Sequence, residues 1–167
     1  MIINNFKNIQ KKIHTRTSIQ MQVQTWRAAG KTITFTNGCF DLLHYGHIHY
    51  LAQAADLADC LVVGVNSDAS VQRLKGQHRP IKDEKNRTHI LAALAFVDTV
   101  ILFEEDTPYN LIDLVQPDFL VKGGDWQPAQ IVGSDIVLAR GGEVLSLPFI
   151  EGYSTTNLER RIVELMS

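Results

Sequence analysis

The sequence predicts an α/β fold, a doubly wound parallel sheet of about five strands flanked by helices, on three observations. Short β-rich runs alternate with helical stretches from Lys31 onward, the runs are largely apolar, and 167 residues, 45% of them apolar, suit one compact core. Alternation at this spacing implies right-handed strand-helix-strand crossovers, and therefore parallel pairing with helices on both faces. Parallel strands are buried on both sides, which is why theirs are near-continuous apolar runs.

Taken in order, residues 1–17 are polar and weakly patterned and read as a loosely held arm or an interface segment. An amphipathic helix is expected from Ser18, with Thr17 or Ser18 as its cap, Ile19, Val23 and Trp26 on one face, and Gly30 as its stop. Arm and helix make up 1–30, and the domain proper 31–167. Within the domain the expected strands are Thr32–Thr36, Cys60–Val65, Val97–Phe103, Phe119–Val121 and Glu143–Leu147. Helices are expected over 47–57, 68–74, 84–95, 108–115 and 128–140, with a last one from about Thr155. Lys75–Lys82 is the only long polar loop within the domain, and reads as a mobile flap.

Composition narrows the function. A formal net charge of −2 provides no broad basic field, so nucleic acid is excluded as a partner and any anion site must be local. Cys39 and Cys60 are the only cysteines and suggest no disulfide framework, which favours a reducing compartment. Met1 to Gln10 lacks the apolar core of a signal peptide, and no run approaches the roughly 18 apolar residues of a membrane span. A cytoplasmic protein without membrane contact is expected.

The most informative segment follows the first strand: Phe35-Thr36-Asn37-Gly38-Cys39-Phe40-Asp41, then His44-Tyr45-Gly46-His47 leading into a helix. Such a turn aims backbone N–H groups and the positive end of the helix dipole at an anion. Gly38 and Gly46 let a phosphate approach closely, and His44 and His47 can point into one space as donors to a polyphosphate. A helix cap for either histidine, or a metal site formed with His49, are the alternatives; His49 points elsewhere on a helix, and no further ligand beyond Asp41 is near. Neither a G-x-x-x-x-G-K-[ST] loop nor a G-x-G-x-x-G turn follows the first strand.

Further candidates also follow strands. Asn66-Ser67-Asp68 can bind a ligand or cap a helix, and Lys122-Gly123-Gly124-Asp125 can admit a nucleotide or form a plain glycine turn. Tyr153-Ser154-Thr155-Thr156 precedes the last helix, as phosphate ligands or as an ordinary cap. Arg73, Lys75 and Arg79 cluster near the polar loop, with Arg87 on the helix beyond. Asp41 can help to hold a metal or fix its turn. Trp126 can wall a pocket or pack inside, and Cys39 reads as small packing.

The motif His44-x-Gly46-His47 after a first strand resembles the signature of the HxGH nucleotidyltransferase superfamily, which includes cytidylyltransferases and pantetheine-phosphate adenylyltransferases. Its surroundings, Phe35 to His44, Gly64 to Asp68, Arg73 to Gly76 with Arg79-Pro80, Val121 to Asp125, and Glu151 to Thr156, are similar to adenylyltransferases acting on D-glycero-β-D-manno-heptose 1-phosphate, often fused to a sugar kinase. The likeness runs from about Ala28 to Ile162. It implies a Rossmann-like fold, ATP as nucleotide donor with Mg2+, and ADP-heptose and pyrophosphate as products, for lipopolysaccharide or related glycoconjugates. It also implies a homodimer, and a separate heptose kinase as pathway partner.

Carried over, the resemblance makes His44, His47 and Lys122 catalytic. Thr36, Asn37, Gly38, Cys39, Phe40, Gly46, Asn66, Gly123, Gly124, Asp125 and Tyr153 to Thr156 would bind nucleotide. Asp41, Asp68, Arg73, Lys75, Arg79 and Arg87 would bind the sugar 1-phosphate acceptor, with no protein ligand set for a metal. One departure is Asn157-Leu158 after Thr156, where the superfamily often carries S-T-x-x-R; Arg160 or Arg161 is then the substitute. The rival readings are a CTP-dependent cytidylyltransferase acting on glycerol, ethanolamine or choline phosphate, and a non-catalytic nucleotide-binding module.

Overall fold

The computed structural model describes residues 4–166. Its strands are β1 (Ile13–His14), β2 (Ile33–Gly38), β3 (Cys60–Asn66), β4 (Thr99–Phe103), β5 (Phe119–Gly123) and β6 (Glu143–Leu147). All pair in parallel, in the order β1-β4-β3-β2-β5-β6. The helices are α1 (Asn5–Lys11), α2 (Arg16–Ala28), α3 (Tyr45–Ala55), α4 (Asp68–Lys75), α5 (Glu84–Ala92), α6 (Tyr109–Val115), α7 (Ser134–Ala139) and α8 (Thr155–Met166).

Successive strand residues point to opposite faces, so each buried strand feeds two cores. In β3, Leu61, Val63 and Val65 join Tyr50 and Leu51 of α3 and Leu91 of α5. On the other face Val62 joins Phe35, Ile19 and Val23 of α2, Leu111 and Ile112 of α6, and Val137 of α7. From central β2 the chain lays β3 and β4 on one side, then crosses to β5 on the other. That reversal opens a crevice at the carboxyl ends of β2 and β5, where ligands bind in such sheets.

The structure departs from expectation in four places. Residues 5–14 are not a loose arm: Asn4 caps α1 by accepting from the Lys7 amide at 3.0 Å, and β1 pairs with β4, making six strands. Ile9 and Ile13 pack against the core. A two-residue strand is too short to show periodicity in the sequence; residues 1–3 lie outside the described residues. The second helix starts earlier, capped by Thr15 rather than Thr17 or Ser18. Ser18 instead returns the bond, accepting from the Thr15 amide at 2.9 Å, and Gly30 ends the helix at φ +70° as expected.

The stretch 128–140 is a short 3-10 turn, Pro128–Gln130, then α7. Gly133 breaks it at φ +86°, and a Cβ there would lie 2.6 Å from Ile112 Cδ1. Finally, the end of the Lys75–Lys82 loop is pinned rather than free. Asp41 accepts from the amides of Ile81 at 2.8 Å and Lys82 at 2.9 Å. Among the described residues no helix is long and apolar enough to cross a membrane.

Candidate active site

The site begins where β2 runs out. The guanidinium of Arg87 is fully buried and donates from Nη1 to the Cys39 carbonyl at 2.6 Å, from Nε to the Lys82 carbonyl at 3.0 Å, and from Nη2 to Asp68 Oδ1 at 2.8 Å. A buried charge must find its partners internally, so Arg87 and Asp68 face each other rather than the crevice. Their effect is to hold the turn. Phe40 follows at φ +49°, a left-handed conformation that persists where neighbours over-determine it, and its ring meets that of His47 edge-on at 5.5 Å. Asp41 borders the crevice while bonding to Ile81, Lys82 and, at 3.0 Å, Arg79 Nη1, and Arg79 makes a second ion pair with Glu159 of α8.

His44 is the N-cap of α3 in extended backbone and makes no side-chain cap bond. This leaves its ring free to lie against that of His47, with centroids 3.9 Å apart. Gly46 makes room: a Cβ there would sit 3.1 Å from His44 Cε1 and 3.3 Å from the Tyr153 carbonyl. Both Nδ1 atoms are buried without a partner. Burial pushes the pKa of His47 down to about 4, helped by repulsion from His44 and Lys75. Burial lowers that of His44 too. A neutral imidazole still offers one N–H donor to an anion.

Three adjoining cavities form one cleft. The middle one, about 160 Å³, reaches His47, Tyr50, Lys122, Gly123, Phe149 and Thr155. One arm, about 290 Å³, runs past His44 to Ile150, Gly152, Tyr153, Ser154 and Asn157. The other, about 470 Å³, shares Asn37, Gly38, Cys39, Lys75 and Lys122 with the middle, and extends past Asn66 and Leu74 to Asp106–Pro108, Trp126 and 130–132. Lys122 Nζ lies 3.5 Å from the Asn37 carbonyl. Its pKa is lowered by burial, with Cys39 opposing and Lys75 adding to the effect.

Most sequence-predicted residues meet in this cleft, and some do not. Thr36 is buried behind it, bonded to the Tyr50 hydroxyl. Asn66 lines it while donating to Ser70 Oγ at 3.0 Å. Gly123 and Gly124 are small because Phe149 and Trp126 lie over them: a Cβ on Gly123 would be 2.9 Å from Phe149 Cε1, and one on Gly124 3.1 Å from Trp126 Nε1. Asp125 is exposed beside Trp126. Tyr153 packs on Tyr45 at 5.0 Å, Thr155 reaches the middle cavity, and exposed Thr156 lines none of the three.

Ser154 acts as a cap, accepting from the Asn157 amide at 3.0 Å, while also lining the smaller arm. Arg160 and Arg161 bond along α8, to Asn157 and Glu164, and do not enter the cleft. Arg73 donates to Asp106 Oδ1 at 2.8 Å and to the Glu104 carbonyl. Asp106, Thr107, Gln130 and Phe149 line the cleft without having been singled out from sequence. The signal for the first two was available, since they follow β4 at the ligand-binding end of the sheet.

A polyphosphate is the ligand this arrangement suits, with clustered N–H donors, a half-buried amine and two helix starts at one crevice. The chain is a nucleotidyltransferase. It belongs to the cytidylyltransferase-like family, whose profile matches residues 35–161. It is 52% identical over 153 residues to the bifunctional protein HldE of Syntrophotalea carbinolica, covering 92% of this chain and 31% of that protein. Identity to HldE of Nitrobacter hamburgensis is 52% over 157 residues, covering 93% and 32%. The chain therefore spans roughly a third of these relatives. Among solved structures, the lipopolysaccharide core biosynthesis protein from Thermoplasma volcanium GSS1 superposes with a TM-score of 0.60 at 33% identity, covering 75% of this chain and all of that one. A pantoate-beta-alanine ligase from Francisella tularensis, 16% identical with a TM-score of 0.60 over 92% of this chain and 78% of that one, shares the fold alone.

Proposed function

We propose that the chain transfers AMP from ATP to D-glycero-β-D-manno-heptose 1-phosphate, giving ADP-heptose and pyrophosphate. The observation that carries the reaction is the meeting of His44, His47, Lys122 and the start of α8 in one cleft. The choice of acceptor rests on the motif resemblance. A phosphate oxygen of the acceptor bonds to the α-phosphorus as the bond to the β-phosphate oxygen breaks, and that electron pair leaves on pyrophosphate. No covalent nucleophile is needed, so positioning and charge neutralisation do most of the work. His44 and His47 donate to the triphosphate as the α-phosphorus becomes five-coordinate, and Lys122 attracts the acceptor's phosphate.

Mg2+ belongs to this reading as the companion of ATP. In this reading the ion is held by phosphate oxygens and water rather than by a protein ligand set. When bound it neutralises part of the triphosphate's charge.

The test is pyrophosphate release with magnesium, ATP or CTP, and a panel of heptose, glycerol, ethanolamine and choline phosphates. Release with ATP and heptose 1-phosphate alone is expected, falling on the order of a hundredfold to a thousandfold in His44→Ala and in His47→Ala. Release with CTP and a polyol or amino-alcohol phosphate overturns the acceptor, and release with no triphosphate leaves only a nucleotide-binding module. The same reading expects a cytoplasmic enzyme that works as a homodimer and is supplied by a separate heptose kinase. Recovery with membranes, a single-chain mass in sedimentation, or product made by this chain from unphosphorylated heptose would each remove its part.

A further inference from the structure

We propose that Asp106, steadied by Arg73, reads hydroxyl groups of the acceptor sugar, so that the larger arm of the cleft holds the sugar and the Tyr153 arm holds the triphosphate. This assignment rests on the nucleotidyl-transfer reading and adds to it a residue that selects the acceptor.

The charges of the two arms differ in kind. The smaller arm is lined by His44, His47, the start of α8 and Asn157, with no carboxylate among its lining residues. The larger arm carries the carboxylate of Asp106, and its cations, Lys75 and Lys122, stand where it joins the middle cavity. A carboxylate repels a triphosphate but accepts hydrogen bonds from sugar hydroxyls, and a bond to a charged acceptor is among the stronger ones. An acceptor seated with its phosphate at Lys75 and Lys122 would extend its sugar along this arm. There Thr107 and Gln130 add donors and acceptors, and half-exposed Trp126 offers an apolar face.

Arg73 is then a positioning residue. It donates to Asp106 Oδ1 at 2.8 Å and to the Glu104 carbonyl, fixing the loop after β4. Oδ2 is left for a hydroxyl.

Steady-state kinetics on the full chain with ATP, magnesium and heptose 1-phosphate tests the assignment. Asp106→Ala is expected to raise the acceptor's KM on the order of tenfold to a hundredfold while leaving that of ATP within about twofold. One deoxy analogue of the acceptor should lose affinity with the parent protein and lose no more with Asp106→Ala, a coupling that general loosening of the loop would not produce. Gln130→Ala, at an exposed position, supplies a second variant with the same expected split should Asp106→Ala fold poorly. A rise in the ATP KM instead means that the arms are reversed, and unchanged constants for both substrates remove Asp106 from recognition; either result overturns the proposal. Loss of the transfer reading looks different, because the unmodified protein would then release no pyrophosphate with any sugar 1-phosphate.

Discussion

At the scale of single residues, His47 shows how a fold keeps an imidazole uncharged. Burial removes its water, and His44 and Lys75 repel its charge, so its pKa falls from 6.5 to about 4. A triphosphate nearby reverses the balance by favouring the imidazolium. Nucleotide binding at pH 6 is therefore expected to take up protons, up to about one from His47. Calorimetry in buffers of different ionisation heat measures this, and His47→Asn should lower the uptake. The sign for stability follows from the same shift. Because the unfolded chain binds this proton more readily, the stability that neutral His47 retains above pH 6.5 is lost as the pH falls toward 4. The histidine motif was legible because its residues are contiguous. The partners of Arg87 were not, since a sequence displays a charge but not the carbonyls and amides that will surround it.

At the scale of elements, helices with a clear apolar face were readable and interrupted ones were not. The stretch 128–140 has helical periodicity on both sides of Gly133, and only the left-handed turn and the Ile112 side chain against it reveal the break. Gly133→Ala therefore meets strain and overlap at once, and should cost roughly 1–3 kcal/mol. A urea midpoint unchanged by that substitution would show that the turn relaxes freely. The cap at Thr15 gives the same lesson at smaller cost. Thr15, Thr17 and Ser18 all suit a helix start, and the choice among them depends on β1, which fixes where the preceding chain must go.

For the whole molecule, alternation of strand and helix was sufficient to foresee a parallel sheet covered on both faces, and the rule for crevices pointed to the strand ends where the cleft lies. The order of strands was not available, because neighbours such as β1 and β4 are far apart in sequence and share only two residue pairs. That short pairing has a consequence for solubility. β4 is Thr-Val-Ile-Leu-Phe, an apolar, β-prone run whose outer edge would otherwise present open backbone groups to other copies of the chain. Ile13 and His14 occupy that edge, and the Val100 amide bonds to the Lys12 carbonyl at 2.8 Å. Trimming residues 1–15 should turn a self-limited sheet into one that recruits strands from its neighbours, seen as turbidity on standing; a trimmed chain that stays clear would mean that β4 needs no such cover.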